Sequence, residues 1–238
     1  MTDVLAQAAQ ALAEAAFRTG DFTTAERLYG EALTAAGHDT SAQAQAVGGQ
    51  GMTQHYRNIT CLMAGRAVAE ADILAEEAVM RRSLELWQQT ADAAGTAMGM
   101  FGVGLVFQVL RRDWAAAMPY FWQALGLAEA VEESGDLHGC SEIHRHIGFY
   151  YLVEDIRPRE AVRRLAYSLA LRERIGDERL IPSGLVALGE AELDAGNPQR
   201  AVDLLRRAVT VARQAQLHPG RIKDAEDTLR EAEAALAG

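Results

Sequence analysis

The sequence has few cysteines, prolines and aromatic residues, and Lys223 is its only lysine. Its two cysteines, Cys61 and Cys140, form no CxxC pair, which argues against a disulfide framework and predicts two free thiols. Five prolines and scattered glycines leave no obvious linker. We find no run approaching the roughly 18 apolar residues that a membrane span needs.

Positive charge is also scarce, with a formal net charge of −10 and a pI near 5.1. Binding to phosphate backbones needs a basic surface that displaces counterions, so we expect no nucleic-acid partner. The N-terminus lacks a basic start followed by an apolar core, which is the pattern of a secretory signal. We therefore expect no membrane partner and a cytoplasmic location.

Apolar residues are plentiful, at 49% of the chain, and one stretch shows how they are organised. Residues 186–208 contain Leu188-Gly189, then Gly196-Asn197-Pro198, then Ala201, Leu205 and Ala208. A small residue at Gly189 lets a neighbouring helix approach, Gly196 permits a turn with positive φ, and the last three residues share one helix face. The stretch predicts a hairpin of two helices.

Weaker copies of this hairpin recur along the chain, with the small residue of each first helix at Ala13, Gly51, Gly104, Gly148 and Gly189. The pattern resembles the tetratricopeptide repeat family, in the longer form found in bacterial signalling and regulatory proteins. The resemblance covers about nine tenths of the chain. It implies an all-α, right-handed α-solenoid of about five hairpins plus a C-terminal capping helix, in a single domain spanning residues 1–238.

The pattern also predicts helix boundaries. A helix capped by Ser41 opens the second repeat, and its returning helix, between Ala64 and Gly95, is too long for a regular repeat. The additional residues of this segment, compared with a regular repeat, form either extra helical turns or a helix plus a loop. The remaining predicted helices are Val4–Arg18, Thr23–Ala36, Thr96–Leu110, Trp114–Glu133, Cys140–Leu152, Arg159–Ile175 and the cap Arg221–Leu236, whose apolar stripe is Ile222, Ala225, Leu229, Ala232 and Leu236.

The resemblance implies that first helices line a concave groove, which selects the candidate binding residues. These mix apolar, basic and acidic groups, the composition of a pocket that buries an apolar body and fixes it with a few polar contacts. They are Met52, His55, Tyr56, Phe101, Gly102, Leu105, Gln108, Glu142, Arg145, His146 and Phe149, with Glu190 as an isolated acid in repeat five.

Two glycines in the third repeat need a reason, because glycine inside a helix costs roughly 1 kcal/mol relative to alanine. Gly99 and Gly102 either leave room for a ligand at the groove or admit a neighbouring helix. The sequence does not separate these alternatives.

The densest group of reactive side chains lies in the fourth repeat. Cys140 with His144, and Glu142 with His146, have a spacing compatible with metal ligands, but two ligands are too few and the pairs face different directions. We expect no metal and no cofactor. The alternatives are a groove-facing His146 with a packed His144, or simple surface histidines.

Two functions remain open. The first is a non-catalytic scaffold whose groove binds a peptide segment or partner protein, with Arg145 pairing with a carboxylate. The alternative is an enzyme or receptor for a small apolar molecule, held in a closed pocket between repeats two and four near His55, Glu142 and His146. No catalytic residue can be assigned. A homodimer is also possible, through exposed terminal faces carrying Trp87 or Leu229.

Overall fold

A computed structural model of the protein describes residues 2–131 and 136–237. The described residues are almost entirely helical and contain no strand. Contacts divide the chain into two compact units, unit 1 (residues 1–131) and unit 2 (residues 132–238). The predicted all-α helical-repeat architecture is confirmed in both units.

Unit 1 consists of three antiparallel helical hairpins, each formed by a first helix and a returning helix packed against it. The third first helix ends in a π-helical turn, Val106–Leu110. The helices are α1 (Thr2–Arg18), α2 (Phe22–Ala36), α3 (Thr40–Met63), α4 (Glu70–Trp87), α5 (Ala93–Leu105) and α6 (Trp114–Ala130).

Unit 2 contains two hairpins and a final helix. The helices are α7 (Leu137–Val153), α8 (Pro158–Ile175), α9 (Ile181–Asp194), α10 (Pro198–Gln214) and α11 (Pro219–Ala237). The observed bounds lie within three residues of the predicted ones for these helices, whereas the predicted end of α6 at Glu133 lies outside the described residues.

The aligned small residues occupy the close-packed positions that the repeat pattern predicted. A Cβ atom built on Gly189 would lie 2.8 Å from Leu205 Cγ, which explains why the α9–α10 hairpin needs glycine there. Gly51, Gly104 and Gly148 meet large side chains of their own returning helices in the same way. Ala13 is fully buried in the α1–α2 cluster. The predicted repeat register is therefore confirmed.

Two predicted boundaries are wrong. Asp39, and not Ser41, caps α3, because its carboxylate accepts a hydrogen bond from the Ala42 N–H at 3.0 Å. The returning helix does not span Ala64 to Gly95, and of the two alternatives for this irregular segment the structure contains the helix plus a loop. A loop at residues 64–69 and another at 88–92 flank the 18-residue α4, so the additional length lies in loops and in the long α3.

The cap helix α11 packs against α10 and α9, as predicted. Ala225 and Ala232 are buried, and Leu229 packs beside Ala232 against α10. Leu236 is 43% exposed, so the apolar stripe is less buried at its end than at Ala225 and Ala232.

One stretch of the described residues, Ala93–Leu110, is long and apolar enough to cross a membrane by length and composition. Its 18 residues have a mean hydropathy of 1.6, so the expectation that no run approaches this length is wrong. Half of the stretch is buried inside the protein, and Val103 and Val106 belong to a cluster with Met80 and Leu84 of α4. A core helix has the same composition.

Candidate functional site

Most of the predicted binding residues of unit 1 are packed between helices. His55 is 2% exposed, and its Nδ1 lies 2.7 Å from an oxygen of Glu76, which is itself fully buried. The second Glu76 oxygen accepts a hydrogen bond from Asn58 at 2.8 Å. His55 therefore joins α3 to α4 and does not face an open groove.

Gly99 and Gly102 of α5 are explained by the close approach of α4, so the alternative that they leave room for a ligand is not supported. A Cβ atom on Gly99 would lie 2.9 Å from the Cα of Leu84, and one on Gly102 would lie 2.8 Å from Met80 Sδ. Phe101 and Leu105 on the same helix are 2% and 3% exposed. As placed in the structure, Phe101, Gly102 and Leu105 are core residues.

The remaining predicted binding residues of unit 1 are more accessible to solvent and lie on two different elements, α3 and the π-helical turn. Tyr56 is 40% exposed and packs edge-on against Phe17, with ring centroids 5.1 Å apart. Met52 is half-buried against the α4–α5 cluster, and Gln108 is half-buried in the π-helical turn.

In unit 2, Glu142 connects a buried arginine to a surface arginine. Arg172 of α8 is 2% exposed and donates to Glu142, to the Leu180 carbonyl at 3.0 Å and to Ser183 Oγ at 2.6 Å. The other Glu142 oxygen lies 3.9 Å from Arg145 Nη1. Glu142 thus orients Arg145 while helping to join α7 to α8.

The histidines of α7 occupy different environments. His144 is buried and lies against Tyr167, with ring centroids 4.6 Å apart, whereas His146 is half-buried and meets the Phe149 ring edge-on. Cys140 is 1% exposed. Among the described residues, no group of three potential ligands is suitably placed to hold a metal ion.

A cavity of about 190 Å³ lies on the face of unit 2 formed by α7, α9 and α11. These are the first helices of the two hairpins and the final helix. The cavity therefore lies between repeats four and five and the cap, whereas the sequence placed the binding residues between repeats two and four. Its apolar wall includes Phe149, Val186 and Leu217. The charged residues that line it are Arg145, Arg179, Glu190, Arg221 and Asp224.

Sequence reasoning identified Arg145 and Phe149 in this cavity but treated Glu190 as isolated. Arg145 lies over the Phe149 ring at 4.6 Å from its centroid, in cation–π geometry. Glu190 lines the same cavity from α9. Arg179, Leu217 and Arg221 were missed, because they lie in loops or at the start of the cap helix, outside the positions that a repeat alignment compares.

The surroundings of Glu190 shift its acidity. Desolvation raises the pKa of the Glu190 carboxyl above its ordinary value, Arg145 opposes this effect, and Asp194 and Glu231 add to it. Protein atoms surround the group on several sides although water still reaches it, as expected at the wall of an open cavity. A perturbed carboxyl in a cavity makes this place a candidate functional site.

We expect Glu190→Gln to stabilise the protein slightly at pH 7. Because the folded-state pKa is raised, the folded protein holds more protons just above the ordinary pKa, and stability falls as the pH rises through that window. The gain should be at most about 0.5 kcal/mol, since the group is exposed and screened. Urea unfolding at pH 7 and at pH 4 should show the gain shrinking at the lower pH, and a gain independent of pH would contradict this account.

No protein-family model matches the sequence, and no curated protein matches it significantly. Solved structures do resemble it. The superposition on BtubC (BKLC) from P. vanneervenii has a TM-score of 0.63 at 19% identity, covering 92% of this chain and 84% of that one. TTC0263, a thermophilic TPR protein in Thermus thermophilus, gives 0.57 at 19% identity, with coverages of 98% and 100%.

The apo form of RapI superposes with a TM-score of 0.62 at 17% identity, covering 98% of this chain and 83% of that one. This chain has a tetratricopeptide-repeat-like fold. At these identities the likeness establishes the fold alone. In this fold, a glycine of the first helix packs against a large residue of the returning helix, as Gly189 packs against Leu205. This contact accounts for the recurring sequence pattern.

Proposed function

We propose that the protein is a non-catalytic binding scaffold, and that the α7–α9–α11 face of unit 2 holds a peptide segment of a partner protein. The cavity on this face carries the proposal. At about 190 Å³ it is smaller than the roughly 300–1,000 Å³ of most small-molecule and cofactor sites. A space of about 150 Å³ accommodates a single benzene ring, so the cavity fits one side chain of a partner.

The lining supports recognition of a peptide. An apolar wall surrounded by charged groups suits a buried anchor residue whose neighbours make polar contacts at the rim. Arg145 lies over the Phe149 ring and within ion-pair distance of Glu142, so part of its side-chain freedom is already lost before it binds a partner. The small-molecule alternative depended on space near Gly102, which Met80 occupies.

Selection of peptides from a random dodecapeptide library on the full-length protein tests this proposal. Peptides that bind the wild type should bind Val186→Trp at least tenfold more weakly, because the indole fills the cavity. Arg145→Ala should weaken binding as well. Arg163→Ala is the matched control, since Arg163 is 60% exposed on α8 and pairs only with Glu160 in the described part of the chain.

Circular dichroism melting of each variant separates a loss of binding from a loss of folding. Failure to select any peptide would overturn the proposal. So would peptides that bind the folded Val186→Trp and Arg145→Ala variants as tightly as the wild type.

A further inference from the structure

The cavity of unit 2 contains two carboxylates whose bonding capacity is unused. Glu190 projects from α9 and Asp224 from α11, and both line the cavity. Within the described residues, neither carboxylate accepts a hydrogen bond or forms an ion pair, although Glu190 feels the attraction of Arg145. Both residues are exposed, and desolvation raises the pKa of Glu190. The two carboxylates are therefore available to pair with a ligand that donates hydrogen bonds or carries positive charge.

The arginines of the wall are, in contrast, largely engaged by neighbours. Arg179 donates to both oxygens of Asp177, at 2.9 and 2.7 Å. Arg145 is shared between Glu142 and the face of Phe149. Arg221 is exposed at the rim. At Arg145 and Arg179 an incoming anion would compete with existing carboxylates, whereas a cation would find Glu190 and Asp224 without an ion pair within the described residues.

Further acidic groups surround Glu190 and strengthen this preference. Asp194 and Glu231 both act on it electrostatically and carry the same sign. The chain as a whole has a formal net charge of −10. Because Arg145 and Arg179 are already paired with carboxylates, Arg221 is outweighed by Glu190, Asp224, Asp194 and Glu231, and the local balance of charge favours a positively charged group.

The apolar part of the wall suits the stem of a long basic side chain. Phe149, Val186 and Leu217 present carbon surface beside the two carboxylates. Lysine and arginine bury their methylene groups along such surfaces while the charged end reaches polar groups. The volume of about 190 Å³ accommodates one such side chain.

We propose that the cavity binds one basic side chain, lysine or arginine, of the peptide segment that the scaffold holds. The ammonium or guanidinium group pairs with Glu190 and Asp224, and the aliphatic stem packs against Phe149, Val186 and Leu217. This assignment rests on the proposed function, because it specifies which residue of the peptide enters the cavity.

Three probes of equal chain length test the assignment on the full chain: hexylammonium, hexanoate and 1-hexanol. Binding is followed by NMR through the methyl groups of Val186 and Leu217, which line the cavity. Hexylammonium should bind at least tenfold more tightly than hexanoate or 1-hexanol, and added salt should weaken it. Tighter binding of hexanoate, or equal binding of all three probes, would overturn the assignment.

The carboxylates are then removed one at a time and together. Glu190→Gln and Asp224→Asn should each weaken hexylammonium binding severalfold, and the double variant should abolish the preference over 1-hexanol. Asp203→Asn is the matched control, because Asp203 is an exposed carboxylate of α10 that bonds Gln199 outside the cavity. A preference that survives in the folded double variant would overturn the proposal.

A peptide measurement distinguishes this proposal from the broader one. Selected peptides should contain lysine or arginine, and replacing that residue by norleucine, which keeps the stem and removes the charge, should weaken binding at least tenfold. Peptides that bind the cavity without a basic residue would overturn the cation assignment and leave the scaffold function standing. The absence of any binding peptide would overturn the scaffold function itself.

Discussion

His55→Leu is expected to destabilise unit 1 by about 3 kcal/mol, because it leaves a fully buried carboxyl group without one of its two hydrogen-bond partners. His55 and Glu76 are 2% and 0% exposed, and their side chains are 2.7 Å apart. Without the imidazole, the buried carboxylate keeps only the hydrogen bond from Asn58. The loss of a donor then costs most of the desolvation free energy of the carboxylate.

The double variant His55→Leu, Glu76→Leu should recover most of the lost stability. Replacing both partners by apolar side chains of similar volume leaves no unpaired charge, and such replacements are often neutral. A double-mutant cycle therefore gives a large coupling energy between the two positions. Glu85→Leu is the control on the same helix, since Glu85 is 62% exposed and forms a surface pair with Arg82.

Tryptophan fluorescence in urea measures these effects in the appropriate part of the chain. All three tryptophans, Trp87, Trp114 and Trp122, belong to unit 1, so the signal reports the unfolding of that unit. The control should change the free energy of unfolding by no more than about 0.5 kcal/mol. Equal stabilities of His55→Leu and the wild type would show that the imidazole and carboxylate do not form this contact.

The repeat register could be predicted from the sequence because a local pattern determines it. In the last three repeats, the glycine of the first helix meets a large residue 16 or 17 positions later, as Gly148 meets Leu165 and Gly189 meets Leu205, whereas Gly51 meets Met80 beyond the irregular loop. Both residues belong to one hairpin, so the contact needs no knowledge of the next repeat. The fold therefore follows from spacing and residue size.

The groove residues were harder to predict because a first helix in a repeat has several packed faces. The projection from Gly51 placed His55 toward the groove, but that face of α3 meets α4 through Glu76. Phe101 likewise packs against Phe121 of α6, with ring centroids 5.7 Å apart. A shift of one residue turns a helix by about 100° and exchanges a groove position for a core position.

The cavity of unit 2 depends on segments that the repeat pattern does not describe. Arg179 lies in the loop before α9, and Leu217 lies in the loop before α11. Arg179 and Leu217 line the same cavity as Arg145 and Glu190 only because three helices that are distant in sequence pack together. Charge patterning in the sequence suggested an isolated Glu190, since Asp224 is 34 positions away along the chain.

Gly99→Leu is expected to destabilise unit 1 by about 3 kcal/mol, near the upper end of the usual effect of overpacking. At most other close-packed glycines, the nearest atom to an added Cβ belongs to a side chain that can move. At Gly99 it is the Cα of Leu84, at 2.9 Å, so the α4 and α5 backbones must separate. Gly99→Ala should already lower stability, although alanine favours the helix by roughly 1 kcal/mol.

Gly126→Ala in α6 provides the matched comparison. An added Cβ there meets nothing within 4 Å, so only the gain in helix propensity remains, and stability should rise by about 0.5–1 kcal/mol. Urea unfolding followed by tryptophan fluorescence reports both variants, because both glycines belong to unit 1. If Gly99→Ala stabilised the protein as much as Gly126→Ala, α4 would not lie against Gly99. The space beside α5 would then be available to a ligand, and the small-molecule alternative would regain its basis.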